Sequence, residues 1–299
     1  MTFKPLIQAF RLRTLPLSLS SIVLGCFLAH FDGRYSNIVC ILAIFTTLFL
    51  QILSNLANDY GDSKHGVDNT NRKGPERAVQ SGAIDPKTMK RVVILFMILS
   101  FISGVLLIYE GTKGLHILNV LVFLVLGLGA IAAAVKYTIG EHPYGYAGFG
   151  DLFVFLFFGI TGVVGTYYLN THYLNWEILL PASAAGFLST AVLNLNNMRD
   201  RENDRNSGKH TLVVKMGIEK ARWYHFFLLT GSVITGLAYM IINYHSPFQM
   251  LFLLTIPLLW INVDVVFKNK IPEELDPYLK KLAITSLLFS LAFGIGLLF

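Results

Sequence analysis

The chain has 299 residues, of which 54% are hydrophobic and 14% charged, with a formal net charge of +6. A soluble domain carries about a quarter charged residues. The composition therefore excludes an ordinary water-soluble fold and requires the charges to be crowded into a few short segments. It also gives no sign of a nucleic-acid-binding surface, because the excess of bases has a different distribution.

Runs of about 20 apolar residues can cross roughly 30 Å of hydrocarbon. Nine such runs predict helices over approximately 14–31, 37–58, 91–110, 115–135, 151–169, 176–197, 222–243, 248–267 and 281–299. The expectation is an all-α polytopic membrane protein, with residues 1–299 forming a single transmembrane domain. The first run continues into Cys26-Phe27-Leu28-Ala29 without a clear small-residue cleavage site, so it reads as a retained helix rather than a signal peptide. Cys26 and Cys40 read as small apolar packing residues, not as a disulfide or metal pair. With the N-terminus on the cytoplasmic side, 22 of the 24 Lys and Arg residues fall on that side and only Arg34 and Lys113 on the other. The positive-inside rule thus supports both the helix count and a cytoplasmic N-terminus in the cell's inner membrane.

Two long polar connections follow even-numbered spans and so share one face. At the end of the second span, Asn58 and Asp62 stand at i and i+4 on one helix face, with Asn55 and Asp59 on an adjacent one. Asp68 follows beyond Gly66, two positions past the four-residue register. At the end of the sixth span, Asn196, Asp200 and Asp204 form a nearly straight stripe, with Arg199, Arg201 and Arg205 off it. Asn58 and Asn196 are 138 positions apart, as are Asp62 and Asp200. This regularity suggests two related halves, spans one to four and five to eight, with span nine added. Stacked carboxylates repel one another and are costly at the mouth of a bundle. Both costs vanish if a hard divalent cation is bound, and magnesium typically joins a few carboxylates to substrate phosphates. Asn58, Asp62, Asn196, Asp200 and Asp204 are therefore the expected metal ligands, Asp62 and Asp200 foremost for catalysis.

The bases complete a diphosphate site. Arg77 and Lys209 are placed to contact phosphate oxygens, Arg13 is a further candidate, and Lys136, the one base in its connection, is expected to act on the leaving group. Tyr60, Tyr137 and Phe149 are candidates to face an allylic cation. Asp59, Asp68, His65 and Asp151 are candidate bases, while Asp264 reads as a lipid-boundary residue. A cation-coupled transporter would more typically place its acids at the bilayer midplane in broken helices, whereas both clusters here lie at span ends.

At these motifs the chain resembles the UbiA-type membrane prenyltransferases. The matching stretches are Asn58–Asp68, Gly74–Arg77, Tyr137–Asp151 and Asn196–Gly217. The last of these, with Asn196-Asn197 and Arg199-Asp200 followed by Gly208-Lys209 and Thr211-Leu212, is similar to the branch that prenylates 1,4-dihydroxy-2-naphthoate in menaquinone biosynthesis. A branch acting on hydroxybenzoate or homogentisate is the nearest alternative. The resemblance implies a magnesium cofactor, a polyprenyl diphosphate donor of farnesyl length or longer, a 1,4-dihydroxy-2-naphthoate acceptor, and loss of carbon dioxide and diphosphate.

Overall fold

The computed structural model describes residues 3–67 and 73–299. Among them, nine helices are long and apolar enough to cross a membrane: Lys4–Phe31, Asn37–Lys64, Pro86–Gly111, Ile117–Lys136, Gly150–Thr171, Trp176–Asn206, Ile218–Ile242, Pro247–Lys268 and Pro272–Gly296. Each coincides with a predicted span, and no strand occurs among the described residues. The protein is a multi-pass, all-helical membrane protein. The predicted ends fall short at two places that matter. The second span continues to Lys64 and the sixth to Asn206, so both carry their acidic motifs as helix. Hydropathy marks where apolar surface stops. It does not mark where backbone hydrogen bonds stop, and here polar side chains find partners on neighbouring loops.

The first span is broken. Phe3–Phe10 is a short helix, Arg11 adopts a left-handed conformation with φ 50°, and the chain resumes through Leu12–Thr14 into Leu15–Phe31. A non-glycine residue there stores strain, and Thr14 holds the turn by donating from both its backbone N–H and its hydroxyl to the Arg11 carbonyl, at 2.8 and 2.9 Å. The third span starts at a true cap. Asp85 accepts from Thr88 N–H at 3.0 Å, and that bond, more than anything else, holds its carboxyl below the usual range.

Most of the core is shared by spans one and five to nine, with Leu28, Tyr167, Leu188, Phe252 and Phe289 fully enclosed, and a smaller cluster around Leu53, Leu56 and Met89 joins spans two and three. Within the fifth span, Phe155–Thr161 widens into a π-helical turn, a device frequent at functional sites. That turn lies against the sixth span at two glycines. A Cβ on Gly159 would meet the Gly186 Cα at 2.6 Å and the Ala182 carbonyl at 2.8 Å. Gly159→Val is thus expected to force the helices apart and cost about 1–3 kcal/mol, seen as a lower thermal midpoint in detergent. Gly165→Ala, with nothing nearer than 3.7 Å, should leave the midpoint alone; equal effects would refute the packing argument.

At the end remote from the motifs, the Asp32 carboxylate accepts from the hydroxyls of Tyr167 and Tyr173, and Arg34 donates to the Thr171 carbonyl at 3.0 Å. These bonds tie the turn after the first span to the turn after the fifth. The reading of the cysteines is corrected at this end. Cys26 and Cys40 are joined in a disulfide, with their Cα atoms 6.1 Å apart. The short turn at 32–36 folds the first two spans into an antiparallel pair, which sets the two residues side by side across the interface.

Candidate active site at the polar end of the bundle

Three loops and two helix ends converge at one end of the bundle. The second span ends in Asp59 and Asp62, both almost fully buried. Asp59 accepts from the backbone N–H groups of Ala78 and Val79, at 3.0 and 3.2 Å, and so anchors the loop that carries Arg77. Asp62 accepts from Arg77 Nη2 at 3.3 Å and from the Tyr146 hydroxyl at 2.7 Å. Lys209 Nζ stands 4.0 Å from Asp62 and 3.9 Å from Asp204, between the two motifs. It also lies over the Tyr146 ring, 5.2 Å from its centroid. Asn203 Nδ2 donates to the Val67 carbonyl at 2.8 Å, and His210 N–H to the Tyr146 carbonyl at 2.9 Å, so the three connections interlock.

Thr138 fits under the end of the second span because Gly61 has no side chain; a Cβ there would lie 2.6 Å from the Thr138 carbonyl. Its hydroxyl lies 3.0 Å from the Ala57 carbonyl and 3.2 Å from the Asn58 side-chain oxygen.

The sixth span supplies the second motif. Arg199, only 1% exposed, turns onto the acidic stripe instead of away from it. Its guanidinium donates to both Asp200 oxygens at 2.9 and 2.6 Å and to Asn196 Oδ1 at 2.9 Å, and it also pairs with Asp276. Asp276 in turn accepts from Arg13 at 2.8 Å. A carboxylate at the start of the ninth span therefore holds one arginine from the first span and one from the sixth. Buried charges of this kind survive only when paired, and Asp62, Asp200, Asp204, Arg77, Arg199 and Lys209 are all buried.

A cavity of about 360 Å³ begins at this cluster and runs between the first six spans and the ninth. Asn58, Asp62, Arg77, Tyr137, Asn196 and Lys209 line its polar end. Beyond them the lining is mainly apolar, reaching Ile22, Gly104, Gly127 and Leu169 toward the other end of the bundle. Burial pushes the Tyr137 phenol well above its ordinary range, and the Asp151, Asp62 and Asp204 carboxylates push it the same way, so it remains a hydrogen-bond donor.

The predicted residues divide. Asn58, Asp62, Arg77, Tyr137, Asn196, Lys209 and Arg13 line the cavity. Asp200 and Asp204 do not line it, but they abut the cluster through Arg199 and Lys209. Lys136 does not join them. It is exposed and absent from the cavity wall, because the last turn of the fourth span presents it outward. Tyr60 is enclosed in the smaller core cluster and Phe149 is 54% exposed; neither lines the cavity, whose aromatic wall is Phe123, Tyr137, Tyr144, Phe153, Phe157 and Phe158. Asp59 is occupied as a loop anchor, His65 lies 3.0 Å from the Gly140 carbonyl, and Asp264 pairs with Lys268 at 2.7 Å on the surface. Asp151 is buried outside the cavity lining. Asp68 lies outside the described residues. Tyr146, Arg199 and Asp276 escaped the sequence reading as site residues. Tyr146 sits in the quoted Tyr137–Asp151 motif, but the other partnerships span 77 and 263 positions and leave no local signal.

Among the described residues no three His, Cys, Asp or Glu side chains form a ready-made metal group. The expected ligands are instead engaged by Arg77, Lys209 and Arg199. Their chemistry still fits a hard cation, since every donor is a carboxylate or amide oxygen and magnesium needs only a few of them beside substrate phosphate.

Residues 18–295 match the UbiA prenyltransferase family. The 1,4-dihydroxy-2-naphthoate octaprenyltransferase of Haemophilus influenzae is 43% identical over 293 residues, covering 97% of this chain and 94% of that protein. The protein of the same name from Escherichia coli is 42% identical, with 97% and 94% covered. A UbiA homolog from Aeropyrum pernix superposes with a TM-score of 0.71 at 15% identity, covering 96% of this chain and 98% of that one. One from Archaeoglobus fulgidus, bound to DMAPP and Mg2+, gives 0.62 at 19% identity, with 96% and 98% covered. The two archaeal structures share the fold, and the two bacterial relatives share sequence along nearly the whole length. The chain belongs to the UbiA prenyltransferase family.

Proposed function

We propose that the protein transfers a polyprenyl group from polyprenyl diphosphate to 1,4-dihydroxy-2-naphthoate, with release of carbon dioxide and diphosphate, to give demethylmenaquinol in menaquinone biosynthesis. The observation that carries this reading is the cavity, which is charged at one end and mainly apolar along the rest of its length. Such a shape suits a substrate with a diphosphate head and a hydrocarbon tail. The acceptor is supported by the two bacterial relatives above 40% identity that are named for it.

Asn58, Asp62, Asn196, Asp200 and Asp204 are the residues that would hold magnesium. When bound, the ion would neutralise diphosphate charge and improve the leaving group. Arg77 and Lys209 bind diphosphate oxygens and stabilise negative charge as the carbon–oxygen bond breaks. Arg13, held by Asp276, adds positive potential at the mouth. Tyr137 donates a hydrogen bond from its protonated phenol. Tyr144, Phe153 and Phe157 present ring faces to the allylic carbon and keep water from quenching it. The hydroxylated ring attacks through the carbon that bears the carboxylate, and loss of carbon dioxide restores aromaticity.

The distribution of bases supports a cytoplasmic N-terminus, with the motif end on the cytoplasmic side of the inner membrane. The test is purified protein in detergent with magnesium, farnesyl diphosphate and 1,4-dihydroxy-2-naphthoate, following prenylated product and carbon dioxide by mass spectrometry. EDTA is expected to abolish turnover and added magnesium to restore it. Turnover with hydroxybenzoate alone would move the acceptor. No product with any aromatic acceptor, in folded protein, would overturn the assignment.

A further inference from the structure

Beyond the charged cluster, the cavity wall carries three polar side chains that neither the diphosphate nor the prenyl tail explains. Gln51, Ser189 and Ser21 all line the cavity, all are at least nine-tenths buried, and each has a side-chain oxygen without a hydrogen-bond partner. Gln51 lies seven residues before Asn58 on the second span, and Ser189 lies seven residues before Asn196 on the sixth. Each is thus about 10 Å of helix rise nearer the bilayer centre than its motif asparagine. The pair repeats the 138-residue offset of Asp62 and Asp200, so the two motif helices carry a second matched polar layer.

The orientation of Gln51 narrows what this layer binds. Its Nε2 donates to Thr14 Oγ1 at 3.2 Å, and Asn55 Nδ2 donates to the same oxygen at 3.1 Å. Thr14 uses its own hydroxyl hydrogen on the Arg11 carbonyl. Both acceptor positions of Thr14 are thereby filled and its donor is spent. Gln51 is locked with its amide nitrogen toward Thr14 and its Oε1 left over, and a buried acceptor without a donor is costly. A diphosphate offers only acceptors, and a polyprenyl tail offers neither donor nor acceptor. An aromatic diol offers two O–H donors.

We propose that Gln51, with Ser189, forms the subsite that receives the phenolic hydroxyls of the aromatic acceptor. This rests on the prenyl-transfer reading above. Gln51 Oε1 accepts from a ring hydroxyl, and Ser189, which can donate or accept, takes the second. The ring is then held below the diphosphate with its carboxylate-bearing edge turned to the charged end. Discrimination follows from the same chemistry, since an acceptor lacking O–H groups leaves Oε1 unpaired.

The experiment compares wild type, Gln51→Leu and Ser189→Ala, as full-length purified proteins. The KM of each substrate is measured, together with the Ki of 1,4-dimethoxy-2-naphthoate, a competitor of the same shape without O–H donors. Gln51→Leu is expected to raise the KM for 1,4-dihydroxy-2-naphthoate about tenfold, leaving the KM for polyprenyl diphosphate unchanged and the Ki of the dimethoxy compound unchanged or lower. Ser189→Ala should do the same to a smaller extent, and it supplies the test if Gln51→Leu fails to fold. Equal weakening of donor and acceptor, equal weakening of both naphthoates, or no change in either variant would overturn the proposal. A wild type that turns over a different aromatic acceptor but not the naphthoate would instead overturn the acceptor assignment on which it rests.

Discussion

Asp62→Ala and Asp200→Ala are each expected to lower prenyl transfer by about a thousandfold, the scale seen when one preorganised electrostatic partner is taken from a dry site. The two carboxylates come from different helices but face one shared charge cluster, and each has a cationic partner in place. Removing Asp62 takes the counter-charge from Arg77 and the hydrogen-bond acceptor from Tyr146. Removing Asp200 leaves Arg199 with Asp276 as its remaining carboxylate. Loss of activity could therefore come from misplaced cations as well as from a lost metal ligand. Asp62→Asn narrows the cause, because it keeps the shape and the acceptor oxygen for Tyr146 while removing the charge. Asp62→Asn with wild-type turnover and an unaltered magnesium requirement would refute the role given to this carboxylate.

Arg199→Ala is expected to destabilise the fold by about 3–5 kcal/mol, the range for breaking a buried pair by deleting one partner. The side chain is 1% exposed and bonds Asp200, Asn196 and Asp276. Its loss takes the guanidinium from both Asp200 and Asp276, although Arg13 still holds Asp276. Thermal unfolding in detergent reads the effect directly. Arg199→Lys keeps a charge but not the planar fork, so it should recover only part of the midpoint. Coincident midpoints for wild type and Arg199→Ala would show that the cluster is held by other means. Arg201→Ala provides the contrast, because Arg201 is partly exposed and, among the described residues, pairs with Glu202 alone; surface pairs of that kind contribute about 0–1 kcal/mol.

The helices and the motifs were legible for a shared reason. Apolar length, i,i+4 spacing and the sign of flanking charges are local properties, and each was present in a window of fewer than 30 residues. Asn58 with Asp62, and Asn196 with Asp200, fall on one face because helix geometry demands it. Lys136 shows the limit of that logic. It closes the fourth span as the last residue of that helix, and which way that turn points depends on how the span packs against its neighbours. Cys26 and Cys40 show the same limit, since two residues in adjacent spans meet or miss according to helix register.

What the sequence determined by itself is therefore a membrane bundle with two oxygen-rich helix ends, because the bilayer and the backbone impose those rules residue by residue. Only the tertiary structure decided that Arg199 turns inward to Asp200, that Asp276 couples the first and sixth spans, and that Tyr146 and Lys209 fill the space between the two motifs. Those choices follow from low-dielectric burial, where every charge must find its partner wherever in the chain that partner happens to lie.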